Sequence, residues 1–123
     1  MIPSLAFRGQ AFDGAFHDTI APFAFIYCRA GRDDEADFYA RMFAPKAGVP
    51  EDPATGSAVA AFAGQLLVSG GLNDGTQIFA IDQGIEMGRP SRLQLAVDVA
   101  DDSLQAVRLA GAAVAVSHGF TTV

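Results

Sequence analysis

Glu51-Asp52-Pro53-Ala54-Thr55-Gly56-Ser57, running on into Ala58-Val59-Ala60-Ala61-Phe62-Ala63-Gly64-Gln65-Leu66-Leu67-Val68, is the stretch that decides how this chain is read. Asp and Thr are good N-cap residues, and proline is tolerated in a first helical turn. Ser69-Gly70-Gly71 supplies the stop. The helix between carries no charge, and Gln65 is its one large polar side chain. A helix apolar all round, in a chain of short strands, is expected to be surrounded by sheet. The segment therefore predicts a strongly curved sheet wrapped around one central helix.

Outward from the helix, the spacing predicts strands at Phe23–Arg29, Asp37–Ala44, Gln77–Ile81, Arg92–Ala100, Ala106–Leu109 and Ala112–Ser117. In the second of these the alternation is imperfect, which implies that both of its faces are partly covered. Residues 1–21 are glycine-rich, with a strand expected near Leu5–Arg8. There is no low-complexity tract and no internal repeat.

With 123 residues the chain is expected to form one domain with a real core. Half of it is hydrophobic and only 18% is charged, which excludes disorder. Eight Lys and Arg against 14 Asp and Glu give a net charge of −6. That balance argues against nucleic acid or an anionic membrane as partner, since both need clustered cations. The densest charge run, Asp33-Asp34-Glu35, is acidic. Cys28 is the single cysteine, so no internal disulfide forms, and within its apolar run it is expected to be a buried small hydrophobe. Two histidines, His17 and His118, with one cysteine argue against a Cys/His metal site; both are expected on the surface or in loops. Met1-Ile2-Pro3-Ser4-Leu5 lacks the pattern of a signal peptide, and no stretch reaches the roughly 20 apolar residues of a membrane span. A soluble, cytoplasmic protein is the expectation.

The start of the helix is the best candidate site. Free backbone N–H groups and the positive dipole end favour an anion, and Gly56 keeps no side chain in the way. Ser57 adds a hydroxyl, and Asp52 a carboxylate just ahead of the helix. This set suits a substrate carrying a carboxylate. The alternative is that Asp52 or Thr55 simply caps the helix while Gly56 permits close packing. In the turn Asp82-Gln83-Gly84-Ile85-Glu86-Met87-Gly88-Arg89-Pro90-Ser91, Arg89 can pair with a substrate carboxylate or serve only to hold the turn.

Taken together, Glu51-Asp52-Pro53-Ala54-Thr55-Gly56-Ser57-Ala58, Arg41-Met42-Phe43-Ala44-Pro45 before it, and Gln83-Gly84 with Glu86-Met87-Gly88-Arg89-Pro90-Ser91 after it closely resemble the PhzF-like phenazine-biosynthesis family. The resemblance runs from about Phe23 to the C-terminus and is loose over residues 1–21. It implies the α+β diaminopimelate-epimerase fold: two similar halves, each a curved, mostly antiparallel, barrel-like sheet around a central helix, with the active site between them. It also implies an isomerase that moves a proton on a small cyclic carboxylic acid, in the characterised member a dihydro-hydroxyanthranilate, without metal or organic cofactor. Asp52 and Ser57 match the family's second-half aspartate and serine, and Gly56 the glycine beside them. The implied roles are substrate orientation and proton handling for Asp52. By the resemblance Ser57 and the helix-end amides would bind substrate, and Thr55, Gly56 and, from the turn's chemistry, Arg89 are the further substrate-binding candidates.

The sequence resembles the family's second half alone. The first-half glutamate that is the main acid/base has no counterpart here, nor has the first-half Gly-Asn-Pro motif, and Glu51 is a different residue. Three readings follow: half of an isomerase completed by a complementary N-terminal-half partner, a homodimer whose two copies form the cleft, or a non-catalytic small-carboxylate-binding module. A homodimer is expected, because the face bearing the helix N-terminus would otherwise expose an apolar patch.

Overall fold

The computed structural model, which describes residues 9–30 and 34–122, runs in the order α1 (Gly9–Ala15), β1 (Ala24–Arg29), β2 (Phe38–Ala44), a 3₁₀ turn at Pro45–Ala47, β3 (Val49–Asp52), α2 (Gly56–Val68), β4 (Gly75–Gln83), β5 (Ser91–Ala100) and β6 (Ser103–Gly111). The alternation in β5 is strict: Leu93, Leu95, Val97 and Val99 are buried, and the residues between them are not. Antiparallel hairpins join β4 to β5 and β5 to β6. The second hairpin turns on Asp101 and Asp102, both at positive φ, the two-residue turn whose twist matches its strands.

The strands form one mixed sheet in the order β1-β2-β4-β5-β6, with β3 also on β2. All pairings are antiparallel except β2 with β4. One edge of β2 is shared. Its first residues, Phe38 to Ala40, pair with Ile81 to Gln83 of β4, whereas Met42 and Ala44 pair with Asp52 and Val49 of β3. β4 runs parallel to β2 and β3 antiparallel, so the two strands meet head-on and both leave the sheet at that point. On the face away from α2, the Arg41 guanidinium grips the Glu51 carboxylate in a two-pronged ion pair (2.8 and 2.9 Å) and lies over the Phe43 ring, pinning β3 to β2. β2 is accordingly covered on both faces, as its imperfect alternation implied.

Helix α2 packs on the other face. Val59, Phe62, Ala63 and Leu66 join Phe38, Ala40, Ile81 and the buried residues of β5 in the core. Phe62 meets Phe25, Tyr27 and Phe38 at ring-centroid distances of 5.8, 4.4 and 5.0 Å. At its N-terminus the helix presses on β6, where a Cβ on Gly56 would lie 3.0 Å from Leu109 Cδ2. Its C-terminus closes as the glycines predict: Gly71 N–H donates to Leu66 O and Gly70 N–H to Leu67 O, with Gly70 left-handed.

Several expectations need correction. The sheet is open, not barrel-like, with β1 and β6 as its two edges. The helix is not enclosed on all sides: Ser57, Ala61, Gln65 and Val68 lie on an exposed face. Alanine makes a helix look apolar all round while costing little when exposed, so lack of charge overstated its burial. Residues 112–117 form no strand and are exposed. Gly111 pairs with Leu93, and β5 begins only two residues earlier, after Pro90, so a partner for the tail runs out. β3 was not foreseen; it is short and contains Pro50, which argues against a strand. Helix α1 was also not foreseen. Cys28 is half-buried, because β1 is an edge strand. The strand expected near Leu5–Arg8 lies outside the described residues. His17 is exposed and 2.6 Å from Asp18, and His118 is in the exposed tail. Among the described residues no helix is long and apolar enough to cross a membrane.

Three strands are tied by Asp98 on β5, which accepts from Thr76 of β4 (2.8 Å) and from Arg108 of β6 (2.6 and 2.8 Å). Arg108 first, then Thr76, holds the Asp98 carboxyl at about 2, below its ordinary 3.8. A carboxyl depressed in the folded state stabilises the fold above its unfolded pKa and gives that contribution up as pH falls through the folded one. In an acid titration followed by circular dichroism, Asp98→Asn is therefore expected to lose less stability than the parent chain between pH 3.8 and about 2. Equal losses would show that the strap carries no pH-linked stability.

Candidate functional site

The head-on meeting of β3 and β4 leaves backbone groups that no strand can pair. Gln83, the last residue of β4, is fully buried there. Its Nε2 donates to Asp52 O (2.6 Å) and to Thr55 Oγ1 (3.0 Å), and its Oε1 accepts from Thr55 N–H (3.3 Å). One side-chain amide thus replaces the missing ladder and ties the end of β3 to the start of α2.

Thr55 occupies the N-cap position with extended backbone (φ −113°, ψ 95°), but its side chain does not cap the helix. Its hydroxyl donates instead to Asp52 Oδ2 at 2.6 Å. The first helical hydrogen bond runs from Val59 N–H to Thr55 O. The N–H groups of Gly56, Ser57 and Ala58 therefore start the helix without a side-chain cap. Asp52 lies ahead of the helix, and among the described residues its Oδ1 makes only a long contact with Ala54 N–H at 3.5 Å. Thr55 thus does not cap the helix, whereas Gly56 does permit the close packing of the alternative reading, with Leu109 Cδ2 3.0 Å from where its Cβ would be.

Ser57, in the first turn, borders an open cavity of about 440 Å³ between β1 and α2. Its walls are aromatic and apolar: Phe23, Phe25, Tyr27, Phe62 and Met42, with Ala58, Ala61 and Gln65 from the helix. Met42 is also the partner of Asp52 across the β2–β3 ladder, although Asp52 itself is not among the lining residues. The walls offer apolar and aromatic contact, with the Ser57 hydroxyl at their border.

Of the residues singled out in the sequence, Asp52 and Thr55 are bonded directly, Gly56 and Ser57 follow on the helix, and Arg89 stands apart. Its side chain is exposed, and its backbone does the structural work: Arg89 N–H closes the turn onto Gly84 O at 3.0 Å. Glu51, one residue before Asp52, is committed to Arg41. Among the described residues no three His, Cys, Asp or Glu side chains converge as metal ligands. Gln83 and the aromatic wall were missed as site residues. A signal for Gln83 existed: it stands on the alternation of Phe79 and Ile81, where an inward polar residue must have buried partners.

Gly84 follows, at φ +77°, and a Cβ on it would sit 2.4 Å from Arg89 O and 2.9 Å from Pro53 O. The turn after β4 is thereby wedged against the Asp52–Thr55 loop. Gly48 has nearly the same φ, +78°, with nothing within 4 Å of its Cβ position. Both alanine substitutions carry the left-handed strain, at least about 1 kcal/mol. Only Gly84→Ala adds a backbone collision, so thermal melts are expected to show a distinctly lower Tm for Gly84→Ala than for Gly48→Ala. Equal losses would mean that the wedge is not there.

A family profile described as phenazine biosynthesis-like protein, PhzC-PhzF, matches residues 15–119. The chain is 44% identical over 95 residues to an uncharacterized isomerase of Mesorhizobium japonicum, covering 77% of this chain and 32% of that protein. It is 42% identical over 79 residues to the trans-2,3-dihydro-3-hydroxyanthranilate isomerase of Pseudomonas aeruginosa, covering 64% of this chain and 28% of that one. Among solved structures it is similar to a Bacillus anthracis phenazine biosynthesis protein of the PhzF family, with a TM-score of 0.57 and 21% identity over 71% of this chain and 29% of that one. The likeness to that structure is one of fold. The match spans about a third of the length of these curated relatives.

Proposed function

The chain belongs to the PhzC-PhzF family, and from that premise we propose that it is the half of an isomerase that holds a small cyclic carboxylic acid for proton transfer, without a cofactor. The carrying observation is the diverted hydroxyl of Thr55: it engages Asp52 and leaves the N-terminus of α2 uncapped beside an aromatic-walled cavity. In this reading Ser57 and the amides of Gly56 and Ser57 take the substrate carboxylate, the aromatic walls take its ring, and Asp52 orients the substrate and handles its proton. The acid/base that completes the reaction comes from outside this chain's matched region, from a complementary half or from Asp52 of a second copy. In the second case two like-charged carboxylates would share one cleft and hold a proton between them.

Two measurements test this. Light scattering over a concentration series is expected to give a mass near twice 12.8 kDa; a mass near 12.8 kDa would overturn the two-copy version and leave the complementary half. The second measurement incubates the chain, alone or with that half, with trans-2,3-dihydro-3-hydroxyanthranilate in D2O. Deuterium is expected to enter the substrate, and Asp52→Asn is expected to slow this by roughly a hundredfold or more, the usual weight of a positioned acid/base. Binding with no exchange in either arrangement would leave a carboxylate-binding module instead.

A further inference from the structure

The hydrogen bonds around Gln83 have a direction that the backbone decides. Asp52 O only accepts, so the nitrogen of the Gln83 amide must face it; Thr55 N–H only donates, so the oxygen must face that. The second amide hydrogen then points to Thr55 Oγ1. A threonine hydroxyl that receives a hydrogen bond from the amide has its own single proton to give, and the remaining partner within reach is Asp52 Oδ2 at 2.6 Å.

We propose that Gln83 is a positioning residue: it fixes the Thr55 hydroxyl as a donor to Asp52 Oδ2, so that Asp52 meets a substrate proton through Oδ1. With Oδ2 held as an acceptor, the carboxylate cannot rotate to exchange its oxygens without breaking a bond to a buried network. Oδ1, whose one described contact is the long one to Ala54 N–H, is the oxygen left to act. When it accepts a proton, the substrate C–H bond breaks, its electron pair stays on the substrate, and the O–H bond forms at Oδ1. The Gln83-Gly84 pair thus has one purpose in two parts, since Gly84 lets the turn approach Pro53 closely enough for the Gln83 amide to reach across. This inference rests on the proton-handling reading of Asp52 given above.

The test separates the two. Solution NMR of the full chain, without substrate, reads the relay directly. Both Gln83 side-chain amide protons are expected to be shifted apart and protected from exchange, and the Thr55 hydroxyl proton to be visible with a cross-peak to them. In Gln83→Glu, which keeps the shape but replaces the donors with an acceptor, the hydroxyl turns toward residue 83 and that signature disappears while the backbone spectrum stays folded. Gln83→Met, which can do neither, leaves the hydroxyl proton in fast exchange and serves if the first variant fails to fold. Freely exchanging Gln83 amide protons in the folded parent would overturn the proposal.

The exchange assay in D2O gives the second arm. A tenfold to hundredfold slowing in either Gln83 variant, the size expected for a hydrogen bond to a charged group, supports the positioning role. An effect of Asp52→Asn with none from a folded Gln83 variant sinks that role and leaves the functional reading standing. No effect of Asp52→Asn sinks the reading, and the NMR arm then still decides whether the relay exists.

Discussion

Two strands that run head-on along the same edge of β2 cannot both continue, and the way the chain resolves that collision organises everything around the site. β3 arrives at Met42 and β4 at Ala40, and each must turn out of the sheet with backbone groups unpaired. In a buried position every such group needs a partner. A single side chain, Gln83, supplies it by mimicking a short piece of ladder. β3 then feeds α2, β4 feeds the turn at 84–90, and the two departures are wedged together at Gly84 and Pro53. Arg41 and Glu51 hold the same junction from the opposite face. The junction is thus braced on both sides of the sheet, and Asp52 stands at its edge.

Much of the fold was legible because its signals are local. The apolar run from Ala58 to Val68 with a Ser-Gly-Gly stop, and the alternation through Leu93, Leu95, Val97 and Val99, are periodicities that survive in the structure. What failed were judgements of context. Ala61 reads as apolar but tolerates solvent, so the helix was expected to be enclosed where one face is open. Val114 and Val116 read as strand residues, yet no pairing partner extends beside them, and they stand 85% and 89% exposed. Val49–Asp52 is a strand because β2 has room beside Met42 and Ala44, and its own Pro50 argues the other way.

The site divides along the same line. That Asp52, Thr55, Gly56 and Ser57 stand together at a helix start was legible because helix-start chemistry is written in consecutive residues. The job of Thr55 was not, since whether it caps the helix or bonds to Asp52 depends on an amide 28 residues away. Arg89 shows the converse: its backbone N–H closes the turn onto Gly84 O, a bond any residue but proline makes there, so the turn does not define the job of its side chain.

One hydroxyl therefore settles two properties that are usually independent. A capped helix would have satisfied its first amides internally and weakened the pull of its N-terminus on an anion. Turned toward Asp52 instead, Thr55 leaves those amides without a side-chain cap and orders the carboxylate beside them at the same time; in the proposed reading they take the ligand's acid group. Anion attraction then comes from the backbone, which any substitution short of refolding leaves in place. In that reading shape discrimination would fall to Phe23, Phe25, Tyr27 and Phe62, which line the cavity without taking part in the hydrogen-bonded junction. Such a division lets the aromatic wall change with the ring to be bound while Asp52, Thr55 and Gln83 stay as they are.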